Sequence, residues 1–182
     1  MSFTSNPMAA IRAVRDGDAS ALAAIYNHFV TDTIVTFEET PITGEEMRRR
    51  IQVVHEAALP WLVVTVDDTV AGYAYASKWK DRIGYRHSVE STVYLTPAAR
   101  GRGLGSALYD ALFAKLAECG VHAVMGGIAL PNDTSVALHE KFGMTKVAHF
   151  GAVGYKFGEW IDVGYWQRIL ADADRLTLQR KG

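Results

Sequence analysis

The sequence predicts a single α+β domain, in which one β-sheet is covered by helices on both faces. Its 182 residues are 49% hydrophobic and 21% charged, a composition that suits one folded domain with a sizeable core. The hydrophobic periodicity gives strands and helices in the order β-α-α-β-β-β-α-β-α-β-β. At the centre of that order a strand is followed by a glycine-rich loop, residues 100–105, and then by a helix. Such a mixed order of strands and helices is typical of α+β sheets.

The N-terminal third is expected to hold a short strand and two helices. Residues 11–14 form the strand, and Asp18 is placed to cap the first helix. The apolar face of that helix repeats at helical spacing and consists of Leu22, Ile25, Tyr26 and Phe29. Thr43 is followed three residues later by Glu46, the spacing of a capping box, which predicts a second helix that ends near Ala57.

The rest of the chain predicts a hairpin and then alternating strands and helices. Two β-rich runs, 61–66 and 70–78, are joined by the turn residues Asp67 and Asp68. A strand at 88–95 leads into the glycine-rich loop. The later expected elements are a helix at 106–119 closed by Gly120, a strand at 123–130, a short helix from the turn 131–135 to about Phe142, and two antiparallel strands within 145–170.

The loop Arg100-Gly101-Arg102-Gly103-Leu104-Gly105 carries the strongest functional signal. A glycine-rich turn that ends a strand and opens a helix directs backbone N–H groups outward, where they bind phosphate. The loop lacks the Gly-Lys-Ser/Thr of a Walker loop and the Gly-x-Gly-x-x-Gly spacing of a dinucleotide loop. It fits the pattern Arg/Gln-x-x-Gly-x-Gly/Ala, with an ordinary glycine-rich surface turn as the alternative.

This pattern resembles the pyrophosphate loop of the GNAT superfamily of N-acetyltransferases, which bind acetyl-coenzyme A (acetyl-CoA) there. The strings that resemble its phosphinothricin and methionine sulfone/sulfoximine N-acetyltransferase branch are Tyr26-Asn27, Thr36-Phe37, Trp79-Lys80, Glu90-Ser91-Thr92-Val93-Tyr94, Leu130-Pro131-Asn132-Asp133 and Lys156-Phe157-Gly158 with Trp160 and Asp162. The similarity runs from about residue 11 to 167. It implies the GNAT fold, with a mixed, mostly antiparallel sheet, in one domain at 9–172 followed by a C-terminal tail at 173–182.

The resemblance implies where acetyl-CoA binds. In this fold the strand before the loop separates from the next strand, and the pantetheine arm lies in the gap. The implied coenzyme contacts are the backbone of Val93, Tyr94 and Leu95, the loop residues Arg100, Gly101, Arg102, Gly103, Leu104, Gly105 and Ser106, and the turn residues Asn132 and Ser135. Capping of the following helix is the structural alternative for Asn132.

Two residues are candidates for acid–base chemistry. Glu90 interrupts an apolar or hydroxylic strand, where partial burial would raise the carboxyl pKa, although an exposed strand glutamate is an equal alternative from position alone. The resemblance favours Glu90 as the catalytic base, acting directly or through water. It places His139 where the superfamily commonly has a tyrosine that protonates the coenzyme thiolate. The alternative for His139 is a side chain that lines the pocket or bonds a neighbour.

The acceptor site is expected to combine an apolar wall with cations and hydrogen-bond donors. The expected substrate-binding residues are Phe37, Trp79, Lys80, Arg82 and Tyr85, with Arg86 in the same cluster. Solvated loop residues are the alternative interpretation of these charges. The histidines show no metal-ligand spacing, so no metal is expected.

These features predict an acetyl-CoA-dependent N-acetyltransferase that acts on the α-amine of a small amino-acid-like compound. Phosphinothricin and methionine sulfone or sulfoximine are the implied acceptors, which acetylation would detoxify in a resistance role. Two alternatives stay open: a protein N-terminal acetyltransferase, and a non-catalytic acyl-CoA-binding sensor. Activity on peptides but not on free amino acids would favour the first, and tight coenzyme binding without transfer would favour the second.

The composition limits which partners and which cellular compartment we expect for this protein. A net charge of −1 without a basic block argues against nucleic acid. No apolar run reaches membrane-spanning length, and the N-terminus lacks a signal-peptide pattern. The single cysteine, Cys119, cannot form an intrachain disulfide and suits a reducing compartment. We therefore expect a cytoplasmic protein without a membrane partner, and the resemblance implies a homodimer.

Overall fold

A computed structural model describes residues 9–170, and its elements follow the expected order. The strands are β1 (Ala9–Ala13), β2 (Trp61–Val66), β3 (Thr69–Lys78), β4 (Ser88–Leu95), β5 (Ala123–Leu130), β6 (Thr145–Lys156) and β7 (Glu159–Ile169). The α-helices are α1 (Ala19–Asp32), α2 (Gly44–Glu56), α3 (Leu104–Glu118) and α4 (Asp133–Lys141). The expected tail at 173–182 and the last two residues of the expected domain lie outside the described residues.

The strands form one sheet in the order β1-β2-β3-β4-β5-β7-β6. Neighbouring strands are antiparallel except for β4 and β5, so the sheet is mixed and mostly antiparallel, as the resemblance implied. The parallel pair is in register only from Ser88 opposite Ala123 to Glu90 opposite Met125. Beyond Glu90 the two strands separate, and a gap opens in the middle of the sheet.

Helices cover both faces of the sheet and give it two apolar cores. One core packs β-strand residues such as Val89 and Val124 against Leu108 and Leu112 of α3. The other packs Tyr94 of β4 against α1 and α2. Because successive strand residues point to opposite faces, β4 contributes to both cores. The gap beyond Glu90 therefore lies between the two layers of helices.

Local signals in the sequence explain several element ends. Thr43 Oγ1 accepts a hydrogen bond from the Glu46 N–H at 3.1 Å, which confirms the expected cap of α2. Gly120 has a φ of +72°, and its N–H bonds the Ala117 carbonyl at 3.1 Å, so it ends α3 as expected. Asp67 and Asp68 have φ values of +47° and +61°, which makes the turn of the β2–β3 hairpin.

The expected cap of α1 is wrong. Asp18 precedes α1, but its carboxylate makes no cap bond to the helix. It accepts instead from both terminal nitrogens of Arg12, at 2.7 and 2.8 Å, and from the Arg15 N–H at 2.7 Å. The charge of a nearby arginine gives a stronger hydrogen bond than a helix N–H does, so the carboxylate ties the end of β1 to the following turn.

The first strand and α3 both begin earlier than expected. The first strand occupies Ala9–Ala13 rather than 11–14, and α3 begins at Leu104 rather than Ser106. Gly103 has a φ of +77° and serves as the N-cap, so the helix begins inside the glycine-rich loop. Within residues 9–170 no helix is both long and apolar enough to cross a membrane.

Candidate active site

The candidate active site lies at the gap between β4 and β5. A cavity of about 260 Å³ there is lined by both candidate acid–base residues, Glu90 and His139. Glu90 and its neighbour Ser91 point to opposite faces of β4, because side chains alternate along a strand. The site therefore has two sides, which we call the Glu90 side and the His139 side.

On the Glu90 side, the carboxylate meets the phenol group of Tyr165. Tyr165 of β7 is directly opposite Gly127 of β5 in the sheet register. A Cβ atom added to Gly127 would lie 2.9 Å from Glu90 Oε1 and 3.1 Å from Tyr165 Cζ. Both side chains thus occupy the space above Gly127 that any other residue would fill, and the Tyr165 hydroxyl and the Gly127 N–H donate to Glu90.

The surroundings of Glu90 have opposing effects on its pKa. Burial raises the pKa of the carboxyl above its ordinary value, because a buried charge loses hydration. The hydrogen bond from Tyr165, the charge of Lys80 and the hydrogen bond from Gly127 lower it in part. The net pKa is raised, so Glu90 is not the freely exposed strand glutamate of the alternative interpretation. A carboxylate with a raised pKa is a stronger base than an exposed one.

On the His139 side, both ring nitrogens already have partners. His139 is buried, with 4% of its surface exposed. Its Nδ1 lies 2.7 Å from the Ser135 carbonyl, which only accepts, so Nδ1 carries the proton. Burial lowers the pKa of the ring and favours its neutral form. Nε2 is then an acceptor, and it receives the Tyr109 hydroxyl at 3.1 Å.

This arrangement bears on the expected role of His139. A neutral ring with Nδ1–H bonded to a carbonyl and Nε2 accepting from Tyr109 has no proton to give to a thiolate. The structure therefore favours the alternative in which His139 lines the cavity and bonds a neighbour. The Ser91 hydroxyl lies 3.4 Å from the Tyr109 oxygen and 3.3 Å from the Met125 carbonyl. Because Tyr109 donates to His139, the single Ser91 proton goes to one of these two oxygens.

Adjacent glycines of β5 make room for both sides of the site. Gly126 faces the His139 side, where an added Cβ would overlap the imidazole ring, and Gly127 faces Glu90. Gly126, Gly127, Tyr109 and Tyr165 were not among the site residues expected from the sequence. Two successive glycines inside an apolar strand were the available signal, since glycine in a strand often marks a close approach.

The glycine-rich loop places an anion site at the N-terminus of α3. Gly101 and Gly103 have φ values of +71° and +77°, which other residues rarely adopt. No side chain caps the first turn of α3, so its N–H groups are available to a ligand. Lys141, which was not expected at the site from the sequence, adds a cation here by donating to Ser106 Oγ at 2.9 Å.

The other implied coenzyme residues lie along the same gap. Val93, Tyr94 and Ser135 line the cavity together with Glu90 and His139, and Leu95 follows on β4 towards the loop. Asn132 caps α4, because its Oδ1 accepts the Ser135 N–H at 3.1 Å, which leaves its amide NH₂ group for a ligand. The gap and the loop together fit a long cofactor with a diphosphate at one end. Among residues 9–170 no group of acidic, histidine or cysteine side chains could hold a metal ion.

The expected acceptor residues are only partly brought together. Phe37, Trp79 and Lys80 line a second cavity of about 570 Å³, which meets the first at Phe37 and Tyr165. We call this larger cavity the acceptor cavity. Tyr85 lines a neighbouring cavity of about 280 Å³ that shares Trp79 and Tyr165 with it. Arg82 lies in the exposed segment 81–87 and lines none of these three cavities.

The split sheet, the anion site at α3 and the carboxylate beside the gap define an acetyltransferase of the GNAT class. Residues 11–164 match the model of the acetyltransferase (GNAT) domain, and the chain belongs to this family. The expected family, fold and enzyme class are thereby confirmed. A structure of a GNAT superfamily phosphinothricin acetyltransferase from Sinorhizobium meliloti in complex with acetyl-CoA has a TM-score of 0.87 and 34% identity, over 90% of this chain and 89% of that one.

Three other similar proteins have names that state an acceptor. The phosphinothricin N-acetyltransferase of Streptomyces viridochromogenes is 42% identical over 87% of this chain and 86% of its own. The L-methionine sulfoximine/L-methionine sulfone acetyltransferase of Salmonella typhimurium is 33% identical over 86% of this chain and 92% of its own. A ribosomal-protein-alanine N-acetyltransferase structure from Brucella melitensis has a TM-score of 0.86 and 35% identity, over 88% of this chain and 99% of that one.

Proposed function

We propose that this protein transfers the acetyl group of acetyl-CoA to the α-amine of a small amino-acid-like acceptor, with Glu90 as the general base. The observation that carries this proposal is the half-buried Glu90 carboxylate, held by Tyr165 and Gly127 at the point where β4 and β5 separate. The names of the relatives support phosphinothricin and methionine sulfone or sulfoximine as the class of acceptor. Acetylation of such compounds would detoxify them, which gives the protein a role in resistance.

The reaction assigns a separate task to each side of the gap. The acceptor binds as an ammonium ion, and Glu90 takes one of its protons, directly or through water. The amine nitrogen then attacks the thioester carbonyl, the C–N bond forms, and the C–S bond breaks. The nitrogen gives its second proton to the departing coenzyme thiolate, which leaves as the thiol, and Glu90 returns its proton to solvent. Glu90 must be ionised to act, and Tyr165, Lys80 and Gly127 favour its ionised form. His139 and Tyr109 form the neutral wall on the thiol side.

Binding follows the resemblance and the geometry together. The backbone of Val93, Tyr94 and Leu95 holds the pantetheine arm, with Asn132 and Ser135 on the opposite side of the gap. The loop from Arg100 to Ser106 holds the pyrophosphate at the N-terminus of α3, where backbone N–H groups and cations favour a dianion. Phe37, Trp79 and Lys80 contact the acceptor, with Tyr85 at the edge of the site.

The proposal includes a cytoplasmic homodimer. The lone cysteine suits a reducing compartment. Large apolar side chains are exposed on the β6–β7 hairpin, among them Phe157 and Trp160, at 60% and 68%. Contiguous exposed apolar surface marks interaction sites. Sedimentation of the wild type against a Trp160→Ser variant tests this: a dimer that the variant weakens supports the assembly, and a monomeric wild type contradicts it.

A transfer assay tests the enzymatic proposal. Release of the coenzyme thiol is followed with phosphinothricin, methionine sulfone, methionine sulfoximine and a peptide that begins with alanine, for the wild type and Glu90→Gln. We expect transfer to at least one free amino acid, and its loss in Glu90→Gln with acetyl-CoA binding retained. Wild-type turnover by Glu90→Gln would contradict the assignment of the base.

Acetylation of protein N-termini is the second candidate, because one structural relative carries that name. The peptide in the same assay distinguishes it, since that activity would give transfer to the peptide but not to the amino acids. Coenzyme binding without transfer to any of the four amines would instead indicate an acyl-CoA sensor.

A further inference from the structure

On the basis of the proposed function, we infer that Lys156 and Gly154 of β6 are positioning residues for the acceptor site. They hold the segment that joins α1 to α2, residues 33–43, which we call the wall segment. The observation behind this inference is a buried lysine whose ammonium donates to two backbone carbonyls, one of them in the wall segment.

The Lys156 side chain links β6 to two other parts of the chain. Lys156 is the last residue of β6 and is 1% exposed. Its Nζ donates to the Thr36 carbonyl at 2.7 Å and to the Phe29 carbonyl at 3.4 Å. Phe29 is in the last turn of α1, where unpaired carbonyls and the helix dipole favour a cation. The ammonium therefore joins β6 to the end of α1 and to the wall segment.

A lysine costs more at this position than an apolar residue would. Burial lowers the pKa of the Lys156 ammonium, and the charges of Glu39 and Glu38 raise it only in part. A methionine would fill the same length without that cost. The lysine is therefore explained by its bonds, which fix the backbone of Thr36, better than by a gain in stability.

Gly154 gives β6 a second contact with the wall segment. Gly154 and Lys156 are two positions apart and both buried, whereas Tyr155 between them is exposed. The alternation of the strand thus places both on its inner face. A Cβ atom added to Gly154 would overlap the ring of Phe37. One face of β6 therefore contacts two successive residues of the wall segment, the Thr36 backbone and the Phe37 ring.

The Lys156 bond connects the two halves of the split sheet. The helices α1 and α2 pack on β2, β3 and β4, and the wall segment is anchored to α1. The Asn27 side chain exchanges two hydrogen bonds of 2.8 Å with the backbone of Ile42, and the Tyr26 hydroxyl lies 2.7 Å from Thr36 Oγ1. β6 is at the edge of the other half, beyond the gap between β4 and β5.

The position of the wall segment sets the width of the acceptor cavity. Thr36 and Phe37 line the cavity that contains Glu90, and Phe37 also lines the acceptor cavity. Tyr165 of β7, which lies in the other half of the sheet, lines both cavities as well. The space for the acceptor therefore depends on how far the wall segment lies from β6 and β7, and Lys156 fixes that distance.

The coenzyme site depends on different contacts. The glycine-rich loop leads into α3, and Leu104 at the start of α3 packs in the other core, against residues such as Val124. Loss of the Lys156 bonds should therefore weaken acceptor binding and leave acetyl-CoA binding intact. A general loss of structure would weaken both.

The first test compares Lys156→Met with the wild type and with Val121→Ala. Methionine has nearly the length of lysine but no donor. We expect the KM for methionine sulfone or phosphinothricin, whichever the wild type acetylates, to rise about tenfold, with kcat within about threefold and the Kd of acetyl-CoA unchanged. Val121 is 3% exposed in the other core, so Val121→Ala lowers stability away from the wall segment and should leave all three constants unchanged.

Hydrogen exchange provides a readout that does not depend on activity. We expect the backbone amides of residues 33–43 to exchange faster in Lys156→Met than in the wild type, and those of residues 100–106 to exchange at the same rate. Gly154→Ala reaches the same segment without removing a charge, because its Cβ displaces the Phe37 ring. The same rise in KM with retained acetyl-CoA affinity is expected, which keeps the inference testable if Lys156→Met does not fold.

The outcomes separate the inference from the proposed function. An unchanged KM in both β6 variants, or equal losses of acceptor and coenzyme binding, would overturn the inference, and so would unchanged exchange of residues 33–43 in Lys156→Met. Absence of transfer by the wild type to both amino acids, with acetyl-CoA still bound, would overturn the proposed function. The exchange rates would then still decide whether Lys156 holds the wall segment.

Discussion

The two sides of the gap between β4 and β5 are built from neighbouring residues but have opposite electrostatic character. On the Glu90 side a carboxylate lies among donors, Tyr165 and the Gly127 N–H, next to the positive charge of Lys80. On the His139 side, His139, Tyr109 and Ser91 form a buried, neutral chain of hydrogen bonds. The Glu90 carboxylate can therefore lose its charge by taking a proton, whereas the groups on the His139 side stay neutral.

The contrast follows from the geometry of a strand. Adjacent residues of β4 point to opposite layers, and the same holds for Gly126 and Gly127 of β5. The strands separate at the level where these pairs lie, so each layer supplies its own chemistry to the same cavity. Under the proposed function, a split parallel pair lets one layer serve the nucleophile and the other face the leaving group.

The largest expected effect separates the two sides directly. Glu90→Gln removes the base and should lower kcat by about 10²–10⁴-fold, the usual range for general base catalysis. His139→Gln removes a neutral partner of Tyr109 and should lower kcat by no more than about tenfold. Steady-state kinetics with methionine sulfone measure both, with acetyl-CoA affinity as the control for folding. Equal losses would mean that His139 transfers a proton as well.

Substitutions of Gly126 and Gly127 test the difference between the two sides through stability and activity. Gly126→Ala forces a Cβ into the buried imidazole ring, and we expect a loss of about 1–3 kcal/mol in the free energy of unfolding. Gly127→Ala meets only the flexible end of Glu90 and the edge of the Tyr165 ring, so it should reduce kcat more than stability. Urea unfolding and kinetics of both variants test this, with Gly17→Ala as the control because nothing lies near its added Cβ. The reverse pattern would contradict the division into two sides.

Tyr165→Phe tests how the Glu90 side holds its carboxylate. The hydroxyl donates to Glu90 and lowers its pKa, so its removal should raise that pKa further. Since the base acts only when ionised, the acidic limb of the pH profile of kcat/KM should move to higher pH. On the acidic limb we expect a loss of up to about tenfold, the effect of a shift of about one pKa unit, that is largely recovered at pH 9. A loss of the same size at every pH would indicate a role in binding instead.

The smallest expected effect concerns stability and pH. The folded state binds the Glu90 proton more tightly than the unfolded state does, because burial raises its pKa. The resulting stabilisation is complete below the unfolded pKa and is lost as the pH rises through the raised folded value. Glu90→Gln should therefore raise the melting temperature at pH 7 by up to about 4 °C and have less effect at pH 4. A lower melting temperature at pH 7 would show that Tyr165 and Gly127 more than compensate for burial.

Local patterns in the sequence predicted the parts of the fold that local interactions decide. The cap at Thr43, the end of α3 at Gly120 and the turn at Asp67-Asp68 each depend on residues within one turn of chain. The cap expected of Asp18 failed because Arg12 competes for its carboxylate, and a spacing rule does not weigh that competitor. Arg82 has the right charge and position in the chain, but its exposed segment leaves it outside the cavities of the site.

The sequence by itself determined the order of the elements, the anion-binding loop and Glu90 as a candidate, because periodicity, glycine spacing and a charge within an apolar strand are all properties of short segments. The resemblance to the GNAT superfamily favoured Glu90 as the base and added His139. Only the tertiary structure decided what those candidates do. The protonation of His139 depends on Ser135 and Tyr109, and the pKa of Glu90 depends on burial and on Tyr165, which lies 75 positions further along the chain. Burial and hydrogen bonding between distant residues arise only when the sheet is assembled, and they set the charge on each side of the gap.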